Sequence, residues 1–462
     1  MFNKKTKSKN ALKIIIVGCG KVGATLVEQL TKEGNEITII DKNPDKISTL
    51  TNLYDIMGLV GNGASYSVQM NAGIDDTDLL IAVTESDELN LLCCTVAKRV
   101  GNCAAIARVR NPDYGKDVAY LREKLGLAMI INPDMEAAKE AARILYLPSA
   151  LEVNSFAHGQ AELIKFKIPE NNILDQMTLA SISKVSSNKV LICAVERDRE
   201  VFIPSGDFVM QKGDIISFVM PRKNIRRFLD EIGIKTTPVK DTMIVGGSKT
   251  TVYLATQLAQ AGISVKIIEK DPARCEELSI LLPKATIING EGTDEELLKE
   301  EGIETVQSFV PLTGIDEENI ILTLFARQIS NAKIITKINT INFKNVIEQL
   351  DLGSIIYPRY ITSEAIIAYA RAKKDSLSSN IETLYHMYDS RVEAIEFRID
   401  KNSTITDIPL MELSLKKELL ICFINRNGTI IIPSGSDCIK SGDTVMVVTK
   451  HSGLKDIQDI LR

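Results

Sequence analysis

The sequence predicts an α/β protein built from two tandem, doubly wound parallel sheets, each followed by a small α+β lobe. Three observations predict this. The 462-residue chain repeats itself at an offset of half its length. Each repeat opens with continuous apolar runs that alternate with helix signals. Each repeat closes with short strands separated by glycine-containing turns.

The repeat comes first. Ile14-Ile15-Ile16-Val17-Gly18 returns as Met243-Ile244-Val245-Gly246, and Ile37 to Asp41 returns as Val265 to Glu269. Gly61-Asn62-Gly63 returns as Gly290-Glu291-Gly292, and Thr84, Asp87, Glu88 and Asn90 as Thr313, Asp316, Glu317 and Asn319. Arg108 falls on Lys337, Ile203-Pro204-Ser205-Gly206 on Ile432-Pro433-Ser434-Gly435, and Gly213-Asp214 on Gly442-Asp443. The register shifts by one residue between Asp41 and Gly61, and by four between Lys337 and Pro358, the counterpart of Pro133, where the second copy is shorter. Chance likeness between two α/β domains would not hold one offset from the first strand to the last.

Within the first copy, strands are expected near Lys13–Val17, Glu36–Ile40, Met57–Val60, Leu79–Val83, Ala104–Arg108 and Ala128–Ile131. They are apolar throughout, as strands buried on both faces are. Asn43-Pro44 reads as a helix cap followed by proline at the first helical position, and Gly34 and Gly101 as left-handed helix ends. A helix near Met135–Tyr146 ends before Pro148, and Ala137, Ala138, Ala141 and Ala142 give it a small-residue face suited to close packing. Beyond it, Ala161–Ile168, Val190–Glu196, Val201–Pro204 and Ile215–Val219 read as the short strands of the small lobe. The expected organisation is a disordered basic tail (1–11), a large lobe (12–134), a connecting helix (135–148) and a small lobe (149–232). A second large lobe (240–358), helix (359–375) and small lobe (376–462) follow.

Composition narrows the function. Hydrophobic residues at 45% and charged residues at 25% fit a globular protein, so wholesale disorder is excluded. A net charge of −5 argues against nucleic acid as a partner. The four lysines of the N-terminal tail read as a solvated segment, with weak attraction to anionic lipid as the alternative. No apolar run is long enough to span a bilayer and no signal-peptide centre is present, so a cytosolic protein is expected. The eight cysteines form no C-x-x-C pair and the three histidines are scattered, so a metal site is not expected.

Gly18-Cys19-Gly20-Lys21-Val22-Gly23 is a G-x-G-x-x-G loop between an apolar strand and a helix, the context that makes it a dinucleotide-binding, Rossmann-like fingerprint. The first glycine makes the turn, the second admits a pyrophosphate, and the third lets helix and strand pack closely. The helix N-terminus then offers free N–H groups to phosphate. Asp41 ends the second strand, where an acid binds ribose hydroxyls and disfavours the 2′-phosphate of NADP. NAD(H) or an adenine nucleotide (ATP/ADP) is therefore the expected cofactor. Asn62, Thr84, Glu85 and Arg108 follow other strands at the same sheet edge. Arg108 reads equally as part of the site or as a surface ion pair. Lys21 reads as a cation near phosphate, in its own site or across a dimer, or as a solvated lysine. The second copy has Gly246-Gly247-Ser248-Lys249-Thr250-Thr251, in which Ser248 and Thr251 replace two glycines. Thr251 is expected to push the helix off the strand and Ser248 to crowd the pyrophosphate. Glu269 retains the acid, so a weaker or different site is expected.

An enzyme of this kind pairs one dinucleotide domain with a catalytic domain. Here the remaining residues are two copies of one small lobe, without an evident nucleophile–base–acid set, and His158 and His386 have no counterparts. A nucleotide sensor is therefore preferred to an NAD-dependent oxidoreductase, the alternative. The glycine loop, Asp41, Gly61-Asn62-Gly63, Thr84-Glu85-Ser86-Asp87-Glu88-x-Asn90 and the repeated Ile-Pro-Ser-Gly resemble the RCK/KTN family over nearly the whole chain. The resemblance implies tandem RCK modules, each a Rossmann-like lobe followed by an RCK C-terminal lobe. It implies a gating ring that binds NAD(H) or ATP/ADP and attaches to a membrane potassium channel subunit of the Trk/Ktr type, at the inner face of the cell membrane. It implies a homo-oligomer, with a tetramer favoured and a dimer possible. It also assigns Gly18–Val22, Asp41, Thr84, Glu85 and Arg108 to a first nucleotide site, and Gly246–Thr250 with Glu269 to a second.

Overall fold

The computed structural model of the protein describes residues 11–462 apart from 102, 116, 187–188, 235–236, 340–346, 348, 375–379, 389 and 402. The expected basic tail lies outside these residues except for Ala11. In the first large lobe, strands β1 (Lys13–Val17), β2 (Glu36–Asp41), β3 (Met57–Val60), β4 (Leu79–Ala82), β5 (Ala104–Arg108) and β6 (Met129–Ile131) are parallel, in the order β3-β2-β1-β4-β5-β6. Ile14, Ile15 and Ile16 are buried on both faces of β1, as are Leu79 to Ala82 on β4, which is why these segments read as unbroken apolar runs. Strand order reverses between β1 and β4, so a crevice opens at their carboxyl ends.

The helices form where capping chemistry marks them. Asn43 accepts hydrogen bonds from the Asp45 and Lys46 amides and starts the helix Pro44–Leu53. Gly34 takes the expected left-handed conformation at φ 75°. Gly101 does not. Its φ is −101°, and glycine is needed there because a Cβ would stand 2.1 Å from the Ile74 carbonyl oxygen.

The first small lobe is an antiparallel sheet of β7 (Glu152–Phe156), β8 (Ala161–Lys167), β9 (Leu191–Arg197), β10 (Glu200–Phe202) and β11 (Ile215–Pro221), in the order β10-β9-β11-β8-β7. Edge strand β7 is absent from the sequence expectation because Asn154 and Ser155 interrupt its apolar alternation. The second copy repeats both sheets. Strands β12 (Asp241–Val245), β13 (Ser264–Glu269), β14 (Thr286–Asn289), β15 (Ser308–Pro311), β16 (Lys333–Lys337) and β17 (Ser354–Ile356) take the same order as β1–β6. The last sheet comprises β18 (Ile381–Met387), β19 (Val392–Arg398), β20 (Leu419–Arg426), β21 (Thr429–Ile431) and β22 (Thr444–Thr449).

The connecting helices are exchanged between modules. Helix Pro133–Tyr146, capped by Asn132, buries Ala137, Ala138, Ala141 and Ala142 in one cluster with Val252, Leu254, Ala255 and Leu258 of the second module's first helix, Lys249–Gln260. The small side chains let the two helices approach closely. Helix Pro358–Lys374 in turn buries Ile366, Ile367 and Ala370 with Leu26, Val27 and Leu30 of the first module's helix Lys21–Lys32. Arg371 closes that contact with a buried pair to Glu33 at 2.5 Å and Glu393 at 3.2 Å. The small lobes also face each other. Phe156, Leu163 and Val219 share a core with Met387, Phe423 and Met446, and the Ser217 and Tyr388 hydroxyls meet at 2.7 Å. Each module therefore completes its core with the other.

A cavity of about 340 Å³ lies between the two connecting helices and the small lobes, lined among others by Glu140, Glu152, Lys165, Glu364, Tyr385 and His386. Lys165 and the Tyr385 hydroxyl hold Glu152 at 2.8 and 2.7 Å.

Candidate nucleotide site

A cleft of about 540 Å³ opens where the first sheet reverses its order, within the range of small-molecule sites. Gly18, Gly20, Lys21, Val22, Asp41, Thr84, Glu85 and Arg108 line it, together with Lys42, Lys46 and Arg110. The three glycines do different things. Gly18 turns at φ 101°, and a Cβ there would press on the Thr84 backbone at 2.8 Å. A Cβ on Gly23 would stand 1.9 Å from the Gly18 carbonyl oxygen, so this glycine sets how closely helix and strand pack. A Cβ on Gly20 would meet nothing within 4 Å. None of the described residues requires glycine at that position, and the space in front of it is open for a ligand to approach the backbone.

Asp41 holds the loop. Its carboxylate accepts from the Cys19 amide at 2.6 Å and from the Asn43 amide at 2.8 Å. Burial, with Asp41 beside it, pushes the Cys19 thiol up to about 12, so Cys19 stays protonated and inert. On the opposite wall, buried Asn90 fixes two strand ends. It accepts from the Thr84 amide and hydroxyl at 2.8 and 2.7 Å and donates to the Arg108 carbonyl at 2.9 Å. Asn62 is exposed and caps its own turn through the Ala64 amide at 3.2 Å. It does not line the cleft.

Arg108 is not a surface residue. It is 9% exposed, donates to the Thr84 carbonyl at 2.6 Å, and its Nε has no hydrogen-bond partner among the described residues. Burial, with Arg110 nearby, lowers its pKa. A desolvated guanidinium with an unused donor suits an anion. Sequence reasoning missed Arg110, Lys42 and Lys46. Arg110 stands one strand-alternation beyond Arg108, and the two lysines flank the Asp41 turn. Five cations thus line this cleft against the two anions Asp41 and Glu85.

The second cleft, of about 500 Å³, repeats the scaffold and changes the lining. Gly246 turns at φ 100°, and Glu269 accepts from the Gly247 amide at 2.5 Å and the Asp271 amide at 2.9 Å. Asn319 binds Thr313 and the Lys337 carbonyl as Asn90 binds its partners. Ser248 caps the helix through the Thr251 amide at 3.3 Å, and the Thr251 hydroxyl donates to the Gly246 carbonyl at 2.6 Å. That carbonyl is the counterpart of the one that a Cβ at Gly23 would strike. The second loop therefore cannot have the first loop's spacing, and a hydrogen bond occupies the opened space. The lining cations are Lys270 and Arg274, against Glu269, Glu291 and Glu318. Arg274 is already bound to the Gly247 carbonyl at 2.7 Å.

Neither Lys249 nor Thr250 lines the second cleft. Thr250 points into the module interface, where its hydroxyl donates to Asp134 at 2.7 Å. Lys249 approaches the first module. The Glu88 carboxyl is held below its usual range mainly by hydrogen bonds from its own amide, Tyr114 and Ser86, with a smaller contribution from the Lys249 ammonium. Lys337, the counterpart of Arg108, is buried and donates to the Leu312 carbonyl at 3.1 Å, and burial pushes it down to about 8.

The first cleft passes the test that a nucleotide poses: an open approach at Gly20, an orphaned buried donor on Arg108 and a cationic wall. The TrkA-N domain model matches residues 14–133 and 242–358, and the TrkA-C domain model matches residues 163–233 and 394–462. The Trk system potassium uptake protein TrkA of Haemophilus influenzae is 30% identical over 440 residues, covering 94% of this chain and 95% of that one. A TrkA homolog of Archaeoglobus fulgidus is 30% identical over 452 residues, covering 98% and 100%. Among solved structures, the GsuK channel bound to NAD superposes with a TM-score of 0.63 at 15% identity, covering 96% of this chain and 78% of that one. The isolated GsuK RCK domain gives 0.63 and covers 96% and 93%. At that identity the likeness is one of fold.

Proposed function

The chain belongs to the TrkA family, and from that premise we propose that it is the nucleotide-sensing regulatory subunit of a potassium uptake system, acting at the inner face of the membrane on a Trk-type channel subunit. The observation that carries this reading is a cationic cleft with an open glycine cradle in the first of two repeated modules. Gly18, Gly20 and the N-terminus of helix Lys21–Lys32 would hold the phosphates, with Lys21, Arg108 and Arg110 around them. Asp41 would take the ribose hydroxyls. Its acid at the ribose favours NAD(H) or ATP/ADP over NADP(H).

The ligand acts by preferring one arrangement of the modules, since a nucleotide shifts an equilibrium only by its difference in affinity between two shapes. Each connecting helix packs on the other module's first helix, which begins at the glycine loop. A change in that loop therefore moves a helix that belongs to the neighbouring module. A homo-oligomeric ring, tetrameric by preference, would pass the movement to the channel.

Thermal denaturation of the full chain titrated with NAD, NADH, ATP and ADP tests the binding. A ligand at a hundred times its Kd adds about 2.7 kcal/mol to the folded state. The melting temperature should rise with at least one of the four and lose that rise in Asp41→Ala. No rise with any of them, or steady oxidation of NADH with a small-molecule substrate, would overturn the reading.

A further inference from the structure

The first cleft and the second module share a buried carboxylate. Asp134, 8% exposed at the start of helix Pro133–Tyr146, accepts from Arg110 Nε at 2.6 Å through one oxygen and from the Thr250 hydroxyl at 2.7 Å through the other. Arg110 lines the first cleft. Thr250, 1% exposed, lies two residues beyond Ser248 in the second glycine loop. Tyr253, one turn further along that helix, donates to the Arg110 carbonyl at 3.1 Å and accepts from Asn132 at 2.8 Å. The backbone of Arg110 is thus pinned from both modules, because its amide also donates to Asp87 at 2.9 Å. Its guanidinium is the part that can turn.

The sequence does not repeat the residues of this bridge in the opposite direction. In the matching register Arg110 corresponds to Asn339, Asp134 to Arg359 and Thr250 to Val22. An amide, a cation and an aliphatic side chain cannot rebuild a cation–carboxylate–hydroxyl chain in the opposite direction.

We infer that Asp134 is a positioning residue that reports occupancy of the first cleft to the second module's glycine loop. This inference rests on nucleotide binding at the first cleft. A phosphate group there competes with Asp134 for Arg110. Two charge-assisted hydrogen bonds converge on one carboxylate, so weakening either changes the other. When Arg110 swings to the ligand, the buried carboxylate loses its cation and must draw closer to Thr250 or move with its helix. In either case the segment around Thr250 changes its hold. By linkage, Thr250 in turn influences ligand affinity at a cleft it does not touch.

The test is amide hydrogen exchange across residues 246–255 of the full chain, with and without ATP, alongside ATP affinity by calorimetry. In the unaltered protein, ATP should change exchange in 246–255. Gly20→Val, which fills the open cradle, should abolish that response. Thr250→Val should abolish it too and shift ATP affinity at the first cleft by about fivefold or more. Thr250→Ser, which keeps the hydroxyl, should restore both. If ATP binds but leaves 246–255 unchanged, or if Thr250→Val responds like the unaltered protein, the link is overturned while the binding reading stands. If ATP, ADP, NAD and NADH all fail to bind, both fall together.

Discussion

The two glycine loops share a backbone and differ in what faces the ligand. Gly18 and Gly246 turn at φ 101° and 100°, and Asp41 and Glu269 accept from the same loop amides. Asn90 and Asn319 tie the same strand ends. Yet Gly23 is replaced by Thr251 and Gly20 by Ser248, and five lining cations shrink to two. Duplication has kept the residues that fold the crevice and changed Gly20, Gly23 and Arg108, which become Ser248, Thr251 and Lys337. Asn90, kept as Asn319 and tying the same strand ends in both copies, is the clearest case of a position kept as scaffold.

The sharpest way to break this contrast is to give the first loop the second loop's residue. Gly23→Thr sets a side chain against a carbonyl that would lie 1.9 Å from its Cβ. We expect first-cleft binding to be lost and stability to fall by about 1–3 kcal/mol, as overpacking does. Calorimetric titration and thermal denaturation check this. Unchanged binding would mean that the first loop can adopt the second loop's spacing, and the loops would not be distinct.

The next effect concerns charge. Arg108→Gln removes a buried guanidinium whose Nε is unused. Nucleotide affinity should drop about tenfold or more, equivalent to about 1.4 kcal/mol. Lys337→Gln in the second module should change first-cleft affinity much less, because Lys337 spends its ammonium on the Leu312 carbonyl. Equal losses in the two variants would erase the distinction between the clefts. A smaller, more selective effect is expected of Gly20→Ala. Gly20 has φ −74° and open space before it, so alanine should leave the ligand-free protein as stable or slightly more so. The ligand-induced rise in melting temperature should nevertheless shrink. A loss of stability without ligand would show that the cradle is structural.

Much of this was legible in the sequence, and the physics explains which parts. Strands buried on both faces announce themselves as apolar runs, as β1 and β4 do. The edge strand β3 is apolar yet largely exposed, and all six strands of the first sheet fall within a residue of expectation. The glycine fingerprint works because each glycine answers a local steric demand. The exchanged connecting helices were not legible. Ala137 to Ala142 signal a close neighbour but carry no address, and the neighbour is more than a hundred residues away. Arg110 was missed because its role depends on Asp134 and Thr250, which only the module pairing brings together. Lys249 and Thr250 were expected at the second cleft from register alone. The helix that Ser248 caps instead turns both toward the first module, where Asp134 holds Thr250.

The smallest expected effect concerns the connecting helices, which differ as the loops do. Glu140 lies on the first, and the register that pairs Pro133 with Pro358 sets Ala365 in its place on the second. Burial, with Glu152 and Glu364 beside it, pushes Glu140 from its ordinary 4.5 up to about 8, while Arg143 opposes this. His386, across the same cavity, is driven from 6.5 up to about 9, because Glu364 and Glu393 outweigh its burial. Both folded values lie above the unfolded ones, so the folded chain keeps protons that the unfolded chain releases. The stability each contributes is complete below its unfolded value and is lost as pH rises, between 4.5 and about 8 for Glu140 and between 6.5 and about 9 for His386. Melting temperature should therefore decline from pH 5 to pH 9. Glu140→Gln should flatten the lower part of the decline and raise the melting temperature at pH 8, whereas Ala365→Glu on the second helix should not reproduce the slope. The effect is modest because the cavity admits solvent to Glu140, which is only partly buried. A slope untouched by Glu140→Gln would place the titration elsewhere.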